Sequence, residues 1–192
     1  MRNQASRAVF DYWINIKRDR PAPLRTEIDP AALRHLLPYL FIAANDADGV
    51  PSFRLAGTRI CDLFAREFRG AAFAEMWLTS DYRRSVEIVH NVIHDEVPAH
   101  IEVDAVNGKY RHPHEMLLLP MKSSEHERSD RVLGALLPQT DRYPETELPV
   151  KGLALDNWTF LTGDVSHFGM PVIADQRGLG ERLRRIFPDR RI

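Results

Sequence analysis

"FRLAGTRICDLFAREFRG" (residues 53–70) decides how this chain folds. It opens as a strand, Phe53 and Leu55 alternating with Arg54 and Ala56, the period-two pattern of a half-buried β-strand. At Gly57-Thr58 the period changes. Ile60, Leu63 and Phe64 follow at helical spacing, and Gly70 closes the stretch. A core that needed only filling would not demand so abrupt a switch. The two glycines suit a positive φ or a close backbone approach.

Working outward, "YLFIAAND" (39–46) reads as a buried strand, "ADGVP" supplies turn chemistry, and "SFRLAG" returns as the second arm of a hairpin. Upstream, Val9, Tyr12, Trp13 and Ile16 make one apolar stripe of a helix over 5–18, which the prolines of "RDRPAP" end. A second helix is expected from Asp29-Pro30, with Leu33, Leu36 and Leu37 as its face and Pro38 as its stop. Downstream, Phe73, Met76 and Trp77 form a short helical piece. Tyr82, Val86, Val89 and Ile93 are the stripe of a further helix, with Asp81 near its start. Then "HIEVDAV" alternates, Ile101, Val103 and Ala105 inward and His100, Glu102 and Asp104 outward. Asn107-Gly108 marks a tight hairpin, and "EMLLLPM" and "RVLGALLP" complete five strands. Five antiparallel strands with helices on one face make an α+β layer fold.

Totals narrow the function. The 192 residues carry a net charge of −1, so the whole molecule has no strong attraction to nucleic acid or anionic membrane. The single cysteine, Cys61, excludes an intramolecular disulfide and a multi-cysteine zinc site, and fits a reducing cytoplasm. "MRNQASRAVFDYW" lacks the apolar run of a secretory signal, and no stretch approaches the ~20 apolar residues of a membrane span.

The order of elements, with residues 53–70, resembles the PAS domain. "LAGTRICDLFAREFRG" matches the apolar spacing and closing glycine of such domains, without their frequent asparagine or glycine-tyrosine pair. Together "FDYWINIKRDRPAPLRTEIDP", "LPYLFI", "FRLAGTRICDLFAREFRG" and "HEMLLLPM…DRVLGALLP" resemble the bacterial stand-alone PAS-like proteins long grouped as a domain of unknown function. The resemblance covers about residues 5–143. It implies that the strand-to-helix segment crosses the concave face of the sheet and lines an interior filled by side chains or by a small molecule.

The expected lining is Phe53, Leu55, Ile60, Phe64, Phe73, Trp77, Val89, Ile93, Ile101, Val103, Met116, Leu118 and Leu136, with Arg59, Tyr82 and His90 as polar groups. No catalytic residue is expected: there is no G-x-S-x-G, P-loop, dinucleotide glycine pattern or H-E-x-x-H. No metal site is expected either. His90 and His94 are four apart and His112 and His114 share a strand face, but neither pair has a third ligand nearby in sequence. Haem and flavin are not expected. Light-sensing relatives carry an asparagine-cysteine-arginine-phenylalanine run where this chain has Arg59-Ile60-Cys61-Asp62-Leu63.

Three parts are anticipated: flanking helices over 1–38, a PAS-like core over 39–143, and an extension over 144–192. The extension ends in a basic amphipathic helix, with six arginines against Glu181 and Asp189 in residues 177–192, a local net charge of +4. The functional expectation is a cytoplasmic sensory or adaptor module without an output domain of its own. It would perceive a small ligand or contact a signalling protein, and dimerise through Val9, Tyr12, Trp13 and Ile16. The alternatives are a small cone-fold isomerase, which needs a buried carboxylate facing the pocket, and an interaction protein with a filled core.

Overall fold

Helix α1 (Gln4–Lys17) starts where Asn3 caps it, its side-chain oxygen accepting the Ala5 N–H at 2.7 Å. It ends at Arg18, whose φ of 53° leaves the helical region. The computed structural model describes residue 1, residues 3–139 and residues 148–161. The basic segment 177–192 lies outside the described residues.

The next expected helix is not formed. Between Asp29 and Leu36 the chain makes successive three-residue turns, with Leu33 N–H donating to Pro30 and Leu36 N–H to Leu33. The N–H groups of this span are met mainly by i→i+3 bonds, and Pro38 allows no further helical turn. Asp29 still accepts the Ala31 N–H at 2.8 Å, and Leu33 is buried.

Strands β1 (Leu40–Asn45) and β2 (Pro51–Ala56) form the expected hairpin. The Asp46 carboxylate accepts the N–H groups of Asp48 and Val50 at its turn. Helix α2 (Thr58–Phe64) follows directly, then a 3-10 turn (Phe73–Met76) and α3 (Tyr82–Asp95). Strands β3 (Ala99–Asn107) and β4 (Tyr110–Met121) pair through the Asn107-Gly108 turn, Gly108 adopting φ +60°. Strand β5 (Arg131–Pro138) pairs with β4 and β1. A sixth strand, β6 (Gly152–Phe160), arises in the segment anticipated as an extension and adds to β3. All pairings are antiparallel, in the order β2-β1-β5-β4-β3-β6.

β4 starts five residues earlier than "EMLLLPM" suggests and carries Pro113 inside it. A proline is tolerated there because β5 pairs with β4 only from Pro138 opposite His114. The missing N–H therefore faces no partner strand.

The sheet buries both faces. On the concave face, α2, the 3-10 turn and α3 cover Phe41, Phe53, Ile101, Val103, Met116, Leu118 and Leu136. On the outer face, α1 packs on Leu117, Leu119, Met121, Leu133, Ala135 and Leu137 through Val9, Phe10 and Trp13. Val9 and Trp13, expected as dimer contacts, are thus turned into their own sheet, while Tyr12 and Ile16 sit half-buried at the flank.

Residues 53–70 close on themselves. Gly70 N–H donates to Phe53 O at 2.8 Å and Phe53 N–H to Ala71 O at 2.9 Å. Gly70 supplies a φ of +84°. Gly57 instead permits close approach: a Cβ there would lie 2.3 Å from the Pro38 oxygen. The change of period thus builds a cap that loops from β2 over the concave face and returns to it.

Candidate functional site

The concave interior is assembled from the strands upward. Parity along β3 and β4 directs Ile101, Val103, Ala105, Met116 and Leu118 to one side, and β5 adds Leu136. The cap adds Ile60, Leu63, Phe64 and Phe68, the 3-10 turn Phe73 and Trp77, and α3 Ile88, Val89, Val92 and Ile93. Towards β1 and β2 the rings interlock, with centroids 5.4 Å apart for Phe41–Phe53, 5.1 Å for Phe53–Phe68 and 5.0 Å for Phe64–Phe68. Phe41 lies across Gly134, where a Cβ would come within 2.0 Å of its ring.

Twelve of the expected lining residues therefore meet: Phe53, Ile60, Phe64, Phe73, Trp77, Val89, Ile93, Ile101, Val103, Met116, Leu118 and Leu136. Leu55, Arg59 and Tyr82 do not, because all three are exposed. Leu55 pairs with Ile42 on the outer face at the sheet edge and is 51% exposed. Arg59 lies on the outward side of α2. The buried stripe of α3 is Ser85, Ile88, Val89, Val92 and Ile93, which leaves Tyr82 46% exposed. His90 is half-buried, and burial alone holds its pKa below the usual imidazole value.

The polar groups that do reach the interior are others. His112 and His114 stand opposite Ala105 and Val103 and are buried. His114 Nδ1 lies 2.8 Å from the His112 carbonyl, which can only accept, so Nδ1 carries the hydrogen. Burial lowers the His114 pKa to about 4, so the ring is neutral at pH 7. Trp77 adds an indole N–H that is buried without an acceptor among the described residues. An orphaned buried donor costs about 1–3 kcal/mol. The tight Asn107-Gly108 hairpin already fixes the pairing of β3 with β4, so the inward parity of both histidines was there to be read.

A family model described as a PAS domain matches residues 1–137 of the chain. The chain belongs to the PAS domain family. No curated protein matches it. No solved structure matches it either. A PAS domain is in general a sensory or adaptor module. The match begins at residue 1, so it takes in α1 together with strands β1 to β4 and most of β5.

The outer face of this PAS domain holds a second polar group that sequence parity placed in water. His100 is buried, its Nε2 3.4 Å from the fully buried carboxylate of Glu115. The start of the chain crosses here, and Asn3 N–H donates to Glu115 Oε1 at 3.2 Å. Burial lowers the His100 pKa, the Met1 ammonium adds to this, and Glu115 opposes it. Glu102, opposite Glu115, is half-buried. Glu115 points towards α1 and away from the concave interior.

Cys61 is half-buried on α2 beside Glu67, and burial raises its thiol pKa, which disfavours the reactive thiolate. His94 is exposed and pairs with Asp95. Among the described residues no group of three His, Cys, Asp or Glu side chains is placed to hold a metal ion. None of the described helices is long and apolar enough to cross a membrane.

Proposed function

We propose that this PAS domain perceives a small ligand in its concave interior and passes the change to α1, which meets a signalling protein or a second copy of the chain in the cytoplasm. The observation that carries the reading is the division of β4. Met116 and Leu118 face the interior, while the alternating Leu117, Leu119 and Met121 lie under α1. A side-chain rearrangement on one face of that strand changes what the helix packs against on the other. A ligand that favours one packing shifts the population of α1 positions. Because Val9 and Trp13 are committed to the sheet, contact through α1 uses its outward side or a released helix.

The reading is non-enzymatic. A cone-fold isomerase needs a carboxylate in the pocket, and the buried Glu115 faces α1 instead. A filled-core interaction protein is the competing reading, favoured by the interlocked phenylalanines at the β1–β2 end.

Native mass spectrometry of the protein purified from its own host tests the proposal. The expected spectrum contains a co-purified small molecule that leaves on collisional activation. A bare polypeptide mass under all gentle conditions favours the filled-core protein instead.

A further inference from the structure

Two tryptophans of this domain are almost wholly buried, and they differ in one respect. Trp13 donates its indole N–H to the Pro120 carbonyl at 2.9 Å, as a buried indole ordinarily does. Trp77 has no acceptor for its own among the described residues. Its main chain is held on both sides. Trp77 N–H donates to Ala74 O, Leu78 N–H donates to Leu153 O at 2.8 Å, and Trp77 bridges Leu153 at the sheet edge. Gly152 brings this segment in closely, since a Cβ there would lie 3.1 Å from the Trp77 carbonyl carbon. On the interior side the ring lies tilted at 57° to Phe73, with centroids 6.0 Å apart.

We propose that the Trp77 indole N–H anchors a ligand subsite in the concave interior, and that the ligand is an uncharged, largely apolar carbonyl compound. This deepens the ligand-perceiving reading above and rests on it. A fixed donor in an apolar enclosure selects for an acceptor atom. Among the described residues no lysine or arginine is buried. His114, the buried histidine on the same face, is neutral at pH 7. A carboxylate or phosphate would therefore be buried without a counter-charge, which is far costlier than burying a ketone. The phenylalanine cluster fills the β1–β2 end. Trp77 ends that chain of rings through Phe73, on the side where the row Leu153, Ala105 and His112 crosses the sheet beside it.

The test uses the full chain, 15N-labelled, with three probes that share one ring system: 2-acetylnaphthalene, 2-ethylnaphthalene and 2-naphthoate. The acetyl compound is expected to bind about fivefold to tenfold more tightly than the ethyl compound. It alone should slow solvent exchange of the Trp77 indole N–H. Naphthoate should bind more weakly than either. In Trp77→Phe the preference for acetyl over ethyl should vanish while ethylnaphthalene binding persists. If Trp77→Phe does not fold, the exchange measurement on the natural chain decides alone, with Trp158→Phe used to assign the indole signals. Equal binding of the acetyl and ethyl probes with an unchanged Trp77 signal overturns the anchor but leaves ligand perception standing. Preferred binding of naphthoate overturns the uncharged class. Binding of no probe overturns the anchor and leaves ligand perception to the native mass spectrum.

Discussion

The indole N–H of Trp13 on α1 donates to the backbone oxygen of Pro120 on β4 at 2.9 Å. That oxygen is open because β3 begins at Ala99, opposite Leu118, and does not reach it. The bond therefore ties the helix to the sheet just past the end of a ladder. Trp13→Ala should cost about 3–5 kcal/mol, mostly through lost burial. Trp13→Phe should cost less, with the orphaned Pro120 carbonyl supplying about 1–3 kcal/mol of it. Urea denaturation of both variants checks the order, and a Trp13→Phe cost near zero would show that the bond contributes nothing.

Gly134 exists for Phe41. A methyl group at 134 would fall 2.0 Å from the Phe41 ring, so Gly134→Ala should destabilise by about 1–3 kcal/mol through overpacking. Combining it with Phe41→Leu should cost less than the two separate changes together, because both act on the same space. Thermal melts of the three variants measure the coupling, and strict additivity would show that the ring moves aside freely.

His114 predicts a pH dependence. Its pKa is lowered to about 4 in the folded domain from the ordinary 6.5. Above 6.5 the ring is neutral in both states and contributes no change. Between 6.5 and about 4 the unfolded chain takes up a proton that the folded one refuses, so stability falls as pH falls, by roughly 3 kcal/mol across that window. His114→Asn keeps a donor for the His112 carbonyl and should flatten this part of the profile. Denaturation midpoints measured from pH 7 to pH 4 decide, and an unchanged slope in the variant would remove His114 as the cause.

Two positions of β2 that period-two spacing puts on one face should behave oppositely, because the register shifts between Ile42 and Ala43. Phe53 is fully buried and Leu55 is 51% exposed. Phe53→Ala should lose about 3–5 kcal/mol, whereas Leu55→Ser should stay within about 0.5 kcal/mol of the natural chain. A large loss at Leu55 in chemical denaturation would place it in a contact surface between copies.

Glu96 holds the loop between β4 and β5. It sits past the end of α3 at φ 55° and accepts from Ser129 N–H at 2.9 Å and Ser129 Oγ at 3.0 Å, with Lys122 Nζ 3.4 Å away. Burial opposes ionisation here, yet these partners keep the carboxyl below its usual pKa. Glu96→Ala should cost about 1–3 kcal/mol and expose residues 122–130 to proteolysis. Limited digestion at a fixed protease ratio reads this directly, and cleavage no faster than in the natural chain would show the loop is held otherwise.

Local chemistry determined most of the elements. Period-two and continuous apolar runs gave the five strands of the core, Asn107-Gly108 gave the hairpin, and the switch of period at Gly57 gave the cap. Each of these depends on a few neighbouring residues, whose dihedral limits and side-chain spacing act wherever the chain goes. The tertiary structure alone decided what each face meets. Parity placed His100 on the outer side of β3, but only the crossing of the chain start over that side buried it against Glu115. The stripe of α3 turned towards Ile88 and Val92 and left Tyr82 in solvent, because burial depends on the surface opposite, not on the helix's own sequence. The same holds for Gly134, whose missing side chain has a reason only when Phe41 arrives from another strand, and for the Trp77 N–H, whose lack of an acceptor is a property of everything packed around it.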